Sequence, residues 1–136
     1  MKKETKMLRD LFDDMEYEFE MKTFDEYEEE AMNTAVYDDD LIYPLIGLVS
    51  EAGEVADKFK KLMRDEAVEL PLDEPSKTLT LDQRTAIAHE IGDVLWYCTA
   101  LANDIGFSLE DIASMNIEKL KDRKDRDMIH GSGDER

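Results

Sequence analysis

Cysteine, proline and glycine are scarce in this sequence of 136 residues, with one, three and six copies respectively. The single cysteine, Cys98, excludes an internal disulfide framework and suits a reducing compartment. No apolar run approaches the roughly 18 residues that a membrane helix needs, and the Met-Lys-Lys start leads into acidic residues instead of an apolar signal segment. We therefore expect a cytoplasmic protein with no membrane partner.

Basic residues are also few compared with acidic ones. Lys and Arg number 17 against 35 Asp and Glu, which leaves a formal net charge of −18 at pH 7. Such an acidic surface repels polyanions, so nucleic acid and anionic membranes are excluded as partners. Because 42% of the residues are hydrophobic, the chain can still form a core, and its length suits a single one.

Apolar residues recur at helical spacing over most of the chain, which leaves little room for strands. The sequence therefore predicts an all-α protein. The predicted helices cover residues 4–20, 24–37, 44–65, 82–104 and 109–126. The first is an amphipathic helix in an N-terminal extension of residues 1–22, and the other four form the bundle core of a domain over residues 23–136.

Local signals predict several helix ends. Thr23 and Ser108 are each followed three residues later by an acidic residue, which is the pattern of a capping box, and Gly106 is typical of a helix C-terminus. Residues 66–81 contain two prolines and no clear period, so we expect a loop there. The tail at residues 131–134 has no core-forming side chain and is predicted to be mobile.

Two short segments on consecutive predicted helices repeat one pattern of acidic residues. Glu51-Ala52-Gly53-Glu54 and Glu90-Ile91-Gly92-Asp93 each carry two carboxylates at positions i and i+3, on neighbouring turns of one helix face. Both pairs border the apolar stripe of their helix. If the two helices pack as antiparallel neighbours at about 8–10 Å, the four carboxylates converge on one point.

Both segments also have a glycine at the third position. Gly53 and Gly92 each cost roughly 1 kcal/mol relative to alanine in a helix interior, so something must offset that cost. We interpret the two glycines as positions where the neighbouring helix, or a ligand, approaches the backbone closely.

Converging carboxylates favour a bound cation, because two like charges about 5 Å apart repel by roughly 3 kcal/mol at an effective dielectric near 20. Mg²⁺, with Mn²⁺ as a substitute, prefers oxygen ligands and keeps positions open for phosphate oxygens. The carboxylate-only set argues against zinc, and the absence of a Glu-x-x-His pair argues against a di-iron centre. The alternative is a solvated acidic surface, which is common in a chain this acidic.

The motif Leu48-Val49-Ser50-Glu51-Ala52-Gly53-Glu54-Val55-Ala56-Asp57-Lys58, followed by Glu90-Ile91-Gly92-Asp93-Val94-Leu95-Trp96-Tyr97, resembles the all-α nucleoside triphosphate pyrophosphohydrolases of the MazG type. The resemblance extends over about residues 24–134. It implies a MazG-like bundle in which Glu51, Glu54, Glu90 and Asp93 hold Mg²⁺ while a nucleoside triphosphate is cleaved to the monophosphate and pyrophosphate. Two departures are the longer connection between the motifs and the N-terminal extension.

The resemblance also implies a substrate and an assembly. Small single-domain members of this family are associated with nucleotide-pool cleaning or recycling in bacteria and their phages, which favours deoxynucleoside triphosphates. The family forms dimers or tetramers, and long apolar stripes in a short chain likewise favour a homodimer or homotetramer. The alternatives are hydrolysis of another pyrophosphate metabolite, such as phosphoribosyl-ATP, and a non-catalytic acidic protein that binds a basic partner.

Three residues of the last predicted helix are matched by the resemblance to phosphate contacts. Asn116, Lys119 and Arg123 share one helical face, and an acidic protein that binds a polyanion needs local cations. The alternative for Lys119 and Arg123 is ordinary ion pairing with neighbouring acidic residues.

Two further residues are predicted to contact the substrate because of their position beside the acidic pairs. Lys58 falls between Glu51 and Glu54 in helical projection, where it either contacts phosphate or balances the acids. Tyr97 lies one turn beyond Asp93, so its ring is expected to stack on a nucleobase, with core or interface packing as the alternative. The adjacent Trp96 is the second candidate for stacking.

Overall fold

Four α-helices make up most of the chain that the computed structural model describes, which comprises residues 23–38, 41–65, 68–69, 72, 74, 78–126 and 128. They are α1 (Phe24–Asn33), α2 (Ile42–Asp65), α3 (Leu81–Asp104) and α4 (Leu109–Asp125). The all-α prediction is confirmed, and none of these described residues forms a strand. The predicted helix at residues 4–20 and the tail at residues 131–134 lie outside them.

Side-chain caps begin three of these helices. The predicted capping boxes at Thr23 and Ser108 both form, and Thr80 forms a third with Gln83 that the sequence analysis missed. Gly106 follows the end of α3 with a φ of 80°, in the left-handed region that favours glycine. These local signals place α3 and α4 within a residue or two of their predicted bounds.

Helix α1 ends at Asn33, four residues earlier than predicted. Its last turn is held by the indole N–H of Trp96, which donates to the Ala31 carbonyl oxygen at 3.1 Å and to Thr34 Oγ1 at 2.8 Å. The chain then leaves the helix, and the Tyr37 hydroxyl reaches Asp104 at 3.4 Å. The early end therefore depends on contacts with α3.

Helices α2 and α3 form the largest helix contact and run antiparallel. Near the start of α2, Gly47 faces Tyr97 late in α3, whereas near the end of α2, Leu62 packs on Ile87 early in α3. This arrangement was the condition for the acidic pairs to converge, and the fold meets it.

The core between the C-terminal end of α2 and the N-terminal end of α3 includes part of the predicted loop. Leu79 packs with Leu62 and Ile87 to form a buried cluster, and Val68 and Leu72 cover it. The segment after α2 is therefore more than a connection, because its apolar side chains close one end of the helix pair. No helix in the described part of the chain combines the length and the apolar character needed to cross a membrane.

The short helices α1 and α4 cover the C-terminal half of α3. Thr99 and Ala100 on α3 are completely buried, and small side chains there allow close packing. The Leu109 N–H at the start of α4 donates to Glu28 Oε2 on α1 at 3.0 Å, which ties the two short helices together. The open side of the α2/α3 pair carries the acidic motifs.

Candidate metal and nucleotide site

Three of the four predicted ligands come together on the α2/α3 pair. Carboxylate oxygens of Glu51, Glu90 and Asp93 all lie within 4.8 Å of one another. Glu51 and Glu90 are half-buried and Asp93 is exposed, so the group faces solvent from the edge of the core. Mg²⁺ binds each ligand at about 2.0–2.1 Å, so its ligand oxygens lie at most about 4.2 Å apart, and small side-chain rotations would close this group around an ion.

Glu51 is at the electrostatic centre of the group. Burial raises the pKa of its carboxyl, and the negative charges of Asp93, Glu90 and Glu54 raise it further. Such an increase is expected where carboxylates crowd together, and a bound cation would lower the pKa of Glu51 again.

The negative charge of Glu54 raises the pKa of Glu51, but the Glu54 carboxylate is not part of the group formed by the other three. Its side chain is exposed, one turn beyond Glu51 on α2. A step of three residues turns the side chain by about 60° around the helix, which is enough to carry Glu54 to the solvent side. The predicted convergence of four carboxylates is therefore seen for three.

The glycines of the two motifs do not mark a close helix contact. A Cβ added at Gly53 or at Gly92 would meet nothing within 4 Å. The expectation that the neighbouring helix approaches the backbone at these glycines is wrong, because both lie on the open side of the helix pair. Close approach of a ligand remains the other explanation given above.

A cavity of about 490 Å³ adjoins the carboxylates. Glu51 and Asp93 line one part of it, and Thr34 and Val36 contribute to its edge together with four aromatic residues: Tyr37, Tyr43, Trp96 and Tyr97. This volume lies in the range of about 300–1,000 Å³ that is typical of small-molecule sites. A charged end beside an aromatic wall suits a ligand that has both anionic and flat apolar parts.

The four rings of the wall contact one another in sequence. Tyr37 stacks on Tyr43 with 5.0 Å between ring centroids, and Trp96 meets Tyr97 edge to face at 4.9 Å. Tyr37 also lies 6.2 Å from Trp96, and Tyr43 lies 6.2 Å from Tyr97. Mutual contact limits the motion of each ring, so the wall is pre-formed.

Two of these four rings were predicted from the sequence, and the other two were not. Tyr97 and Trp96 lie at the cavity, as their position one turn after Asp93 suggested. Tyr43 lies two turns before Glu51 on α2, so the same helical spacing would have found it. Tyr37 follows α1, and no periodic signal placed it there.

The charges of the carboxylates contribute to raised pKa values at two tyrosines, of which Tyr97 lines the cavity and Tyr27 does not. A hydrogen bond with Tyr43 and burial raise the pKa of Tyr97, and the charges of Glu51 and Asp93 add to the increase. Burial raises the pKa of Tyr27 on α1, with a further contribution from Asp93.

Lys58 contacts the carboxylate group but does not line the cavity. Its Nζ is 2.7 Å from Glu90 Oε1, and the two side chains are 31% and 17% exposed. The ion pair bridges α2 and α3, so in this structure Lys58 balances the acids, which was one of its two predicted roles.

The three predicted phosphate contacts on α4 do not line this cavity. Asn116 and Lys119 are exposed, whereas Arg123 is buried, with 6% of its surface accessible. The described residues that line the cavity lie on α2, α3 and the segment after α1. Within the single chain, α4 is thus not part of the cavity wall.

Comparison with known proteins agrees with this arrangement of helices and acids. Residues 44–127 match the family model described as the MazG nucleotide pyrophosphohydrolase domain. The chain is similar to the Gene 37 protein of Mycobacterium phage L5, with 38% identity over 120 residues that cover 82% of this chain and 97% of that protein. No solved structure matches the chain. The family match spans both acidic motifs and the whole of α3 and α4.

Proposed function

Because this chain belongs to the family of MazG nucleotide pyrophosphohydrolases, we propose that it hydrolyses nucleoside triphosphates to the monophosphate and pyrophosphate with Mg²⁺ as cofactor. Deoxynucleoside triphosphates are the proposed substrates. The observation that carries the proposal is the group of three carboxylates beside an aromatic cavity of about 490 Å³. The similarity to a phage protein accords with the small, phage-type members of the family.

The donor set of the site fits Mg²⁺ or Mn²⁺. Glu51, Glu90 and Asp93 supply oxygen ligands, and we propose Glu54, exposed one turn away, as the fourth ligand. When bound, the metal would neutralise phosphate charge and lower the pKa of a coordinated water. A carboxylate of the group that is not fully engaged would accept the proton of the attacking water.

The same chain must attract a substrate with several negative charges despite its net charge of −18. Lys58 is proposed to turn from Glu90 to a phosphate oxygen once a metal engages that carboxylate. Its Nζ lies 2.7 Å from Glu90, so a cation is already beside the carboxylates, which supports this role.

We keep Asn116, Lys119 and Arg123 on α4 as proposed phosphate contacts. Asn116 and Lys119 are exposed, so they are available to a substrate held at another copy of the chain. Arg123 is largely buried and would need to act from a fixed position.

We propose that the protein works as a homodimer or homotetramer in the cytoplasm. One stripe of α2 leaves apolar side chains between 49% and 68% exposed, namely Ile42, Leu45, Ile46 and Val49. A second copy that covers them would remove this apolar surface from water at a gain of roughly 25 cal/mol per Å². The stripe precedes Glu51 on the same helix, so an interface there would lie close to the site.

Pyrophosphate release from a panel of nucleotides tests the proposed function. The panel contains the four deoxynucleoside triphosphates, their ribonucleotide counterparts and phosphoribosyl-ATP, each assayed with Mg²⁺ and with a chelator. We expect release from deoxynucleoside triphosphates only when Mg²⁺ is present. Release from phosphoribosyl-ATP alone would mean that this metabolite, and not a deoxynucleoside triphosphate, is the substrate. No release from any compound would favour a non-catalytic acidic protein.

A further inference from the structure

One glycine of α2 lies directly under an aromatic ring of the cavity. A Cβ built on Gly47 would lie 2.5 Å from Cδ1 of Tyr97 and would overlap Cε1 and Cζ of the same ring. Carbon atoms in contact normally keep about 3.5–4.0 Å apart, so no side chain fits between this ring and the backbone of α2. The same addition at Gly53, on the same helix, meets nothing within 4 Å.

Gly47 lies in the middle of the row of α2 residues that faces the cavity. Tyr43, one turn before it, and Glu51, one turn after it, both line the cavity, whereas the Tyr97 ring covers Gly47 itself. The ring therefore lies as deep as the helix backbone allows. The space in front of it is wider than it would be if position 47 carried a side chain.

The Tyr97 ring also has little freedom in other directions. Trp96 meets it edge to face at 4.9 Å, and Tyr43 lies 6.2 Å away. Trp96 is itself fixed by the two hydrogen bonds of its indole N–H to the end of α1. Because Trp96 is held, a ring that is displaced from Gly47 moves away from α2 and towards the open cavity.

We propose that Gly47 is a specificity-determining position, which seats Tyr97 against α2 and so sets the width of the cavity available to the base of the nucleotide. The inference rests on the proposed function, because it takes the flat part of the substrate to be a nucleobase beside the aromatic wall. Gly47 acts through Tyr97 and is a positioning residue. A narrower cavity discriminates most against the larger bases, so the purines depend on Gly47 more than the pyrimidines do.

The test is a double-mutant cycle with Gly47→Ala and Tyr97→Ala, read in two ways. The first readout is KM and kcat for the four deoxynucleoside triphosphates with Mg²⁺. The second is the emission of Trp96, which is the single tryptophan of the chain and therefore reports on the ring beside it. Gly53→Ala is the matched control for the emission, since its methyl group enters open space.

We expect Gly47→Ala to raise KM for purine nucleotides at least about 5-fold more than for pyrimidine nucleotides, with kcat on the best pyrimidine nearly unchanged. Trp96 emission should shift in Gly47→Ala and stay unchanged in Gly53→Ala. In a Tyr97→Ala background, Gly47→Ala should have no further effect on the ratio between purines and pyrimidines, because the ring that it displaces is gone.

Two results would overturn the inference while leaving the proposed function intact. One is an equal loss for all bases in Gly47→Ala, which would indicate a general structural defect. The other is an undiminished effect of Gly47→Ala in the Tyr97→Ala background. Absence of hydrolysis by the wild-type protein would instead overturn the proposed function.

Discussion

Two carboxylates on helix α2, Glu51 and Asp57, lie less than two turns apart in opposite electrostatic surroundings. Burial and the charges of Asp93, Glu90 and Glu54 raise the pKa of Glu51. Hydrogen bonds from Lys60 and Lys61 lower the pKa of Asp57 to about 2, and the Lys61 Nζ lies 2.6 Å from its carboxylate. Because the two residues share a helix, the difference comes from their neighbours across and along it.

The comparison distinguishes ordinary surface charge from a binding site. Around Asp57 the chain supplies its own cations, and nothing further is needed to balance the carboxylate. Near Glu51, Lys58 pairs with Glu90, and the carboxylates of Glu51, Glu90 and Asp93 face one another. A cation from solution would stabilise such a group of carboxylates, as the proposed metal-dependent hydrolysis requires.

The largest expected effect is on catalysis when a carboxylate of the acidic group is neutralised. Asp93→Asn should lower kcat by roughly 100-fold or more, because it removes a metal ligand and a negative charge from the site. Asp57→Asn is the matched control and should keep kcat near the wild-type value. Similar turnover in both variants, measured by pyrophosphate release, would remove the distinction between the two regions.

A smaller effect is expected for the cation that bridges the helices. Lys58→Met removes the competitor for Glu90, so Mg²⁺ should bind the nucleotide-free protein roughly 1.4- to 5-fold more tightly, in line with about 0.2–1 kcal/mol for a partly exposed ion pair. The KM for nucleotide should rise, because the proposed phosphate contact is lost. Titration calorimetry measures the Mg²⁺ affinity of Lys58→Met against that of the control Lys60→Met, in which the lost partner is that of Asp57. Weaker Mg²⁺ binding in Lys58→Met would contradict this role.

The third prediction concerns stability in chelator. A carboxyl with a raised pKa in the folded state destabilises the fold when it is ionised, and this penalty disappears once the pH falls below its ordinary value of 4.5. Glu51→Gln should therefore be more stable than wild type at pH 7, by about 0.2–1 kcal/mol after solvent screening, and no more stable near pH 4. Urea titrations at both pH values measure the difference. A gain that persists unchanged at pH 4 would point to packing instead of charge.

The smallest effect is the reverse case at Asp57. Its lowered pKa stabilises the fold above the ordinary value of 3.8, and this contribution is lost as the pH falls towards about 2. Asp57→Asn should melt slightly below wild type at pH 7, and the gap should narrow progressively in melts recorded below pH 3.8. A gap that widens on acidification would contradict the assignment.

Sequence periodicity and capping signals predicted most of the helical fold. The capping boxes at Thr23 and Ser108 depend on residues three positions apart, so they can be recognised without tertiary information. The predicted end of α1 was four residues too late, because Trp96, far along the chain, supplies the hydrogen bonds that hold the last turn of the helix. The sequence predicts only a loop after α2, because its apolar side chains show no local period. Their burial depends on packing against α2 and α3.

The candidate site was also predictable in part. Glu51, Glu90 and Asp93 follow from helical spacing combined with antiparallel packing, and the structure brings them together. The aromatic cavity could not be predicted in full, because Tyr37 follows α1 without a periodic signal and because the contact of Tyr97 with Gly47 depends on how α2 and α3 pack. Close approach was expected at the glycines of the acidic motifs, yet the glycine in close contact with the opposite helix is Gly47, six residues before Gly53 on α2.

The most direct test of the account is a set of paired thermal melts with chelator and with Mg²⁺, comparing wild type, Asp93→Asn and Asp57→Asn. At 100 times its Kd, Mg²⁺ should stabilise wild type by about 2.7 kcal/mol, which corresponds to a shift in Tm on the order of 10 °C. Asp57→Asn should show the same shift, and Asp93→Asn should show little or none. Equal Mg²⁺ shifts in all three proteins would contradict a metal site built from these carboxylates.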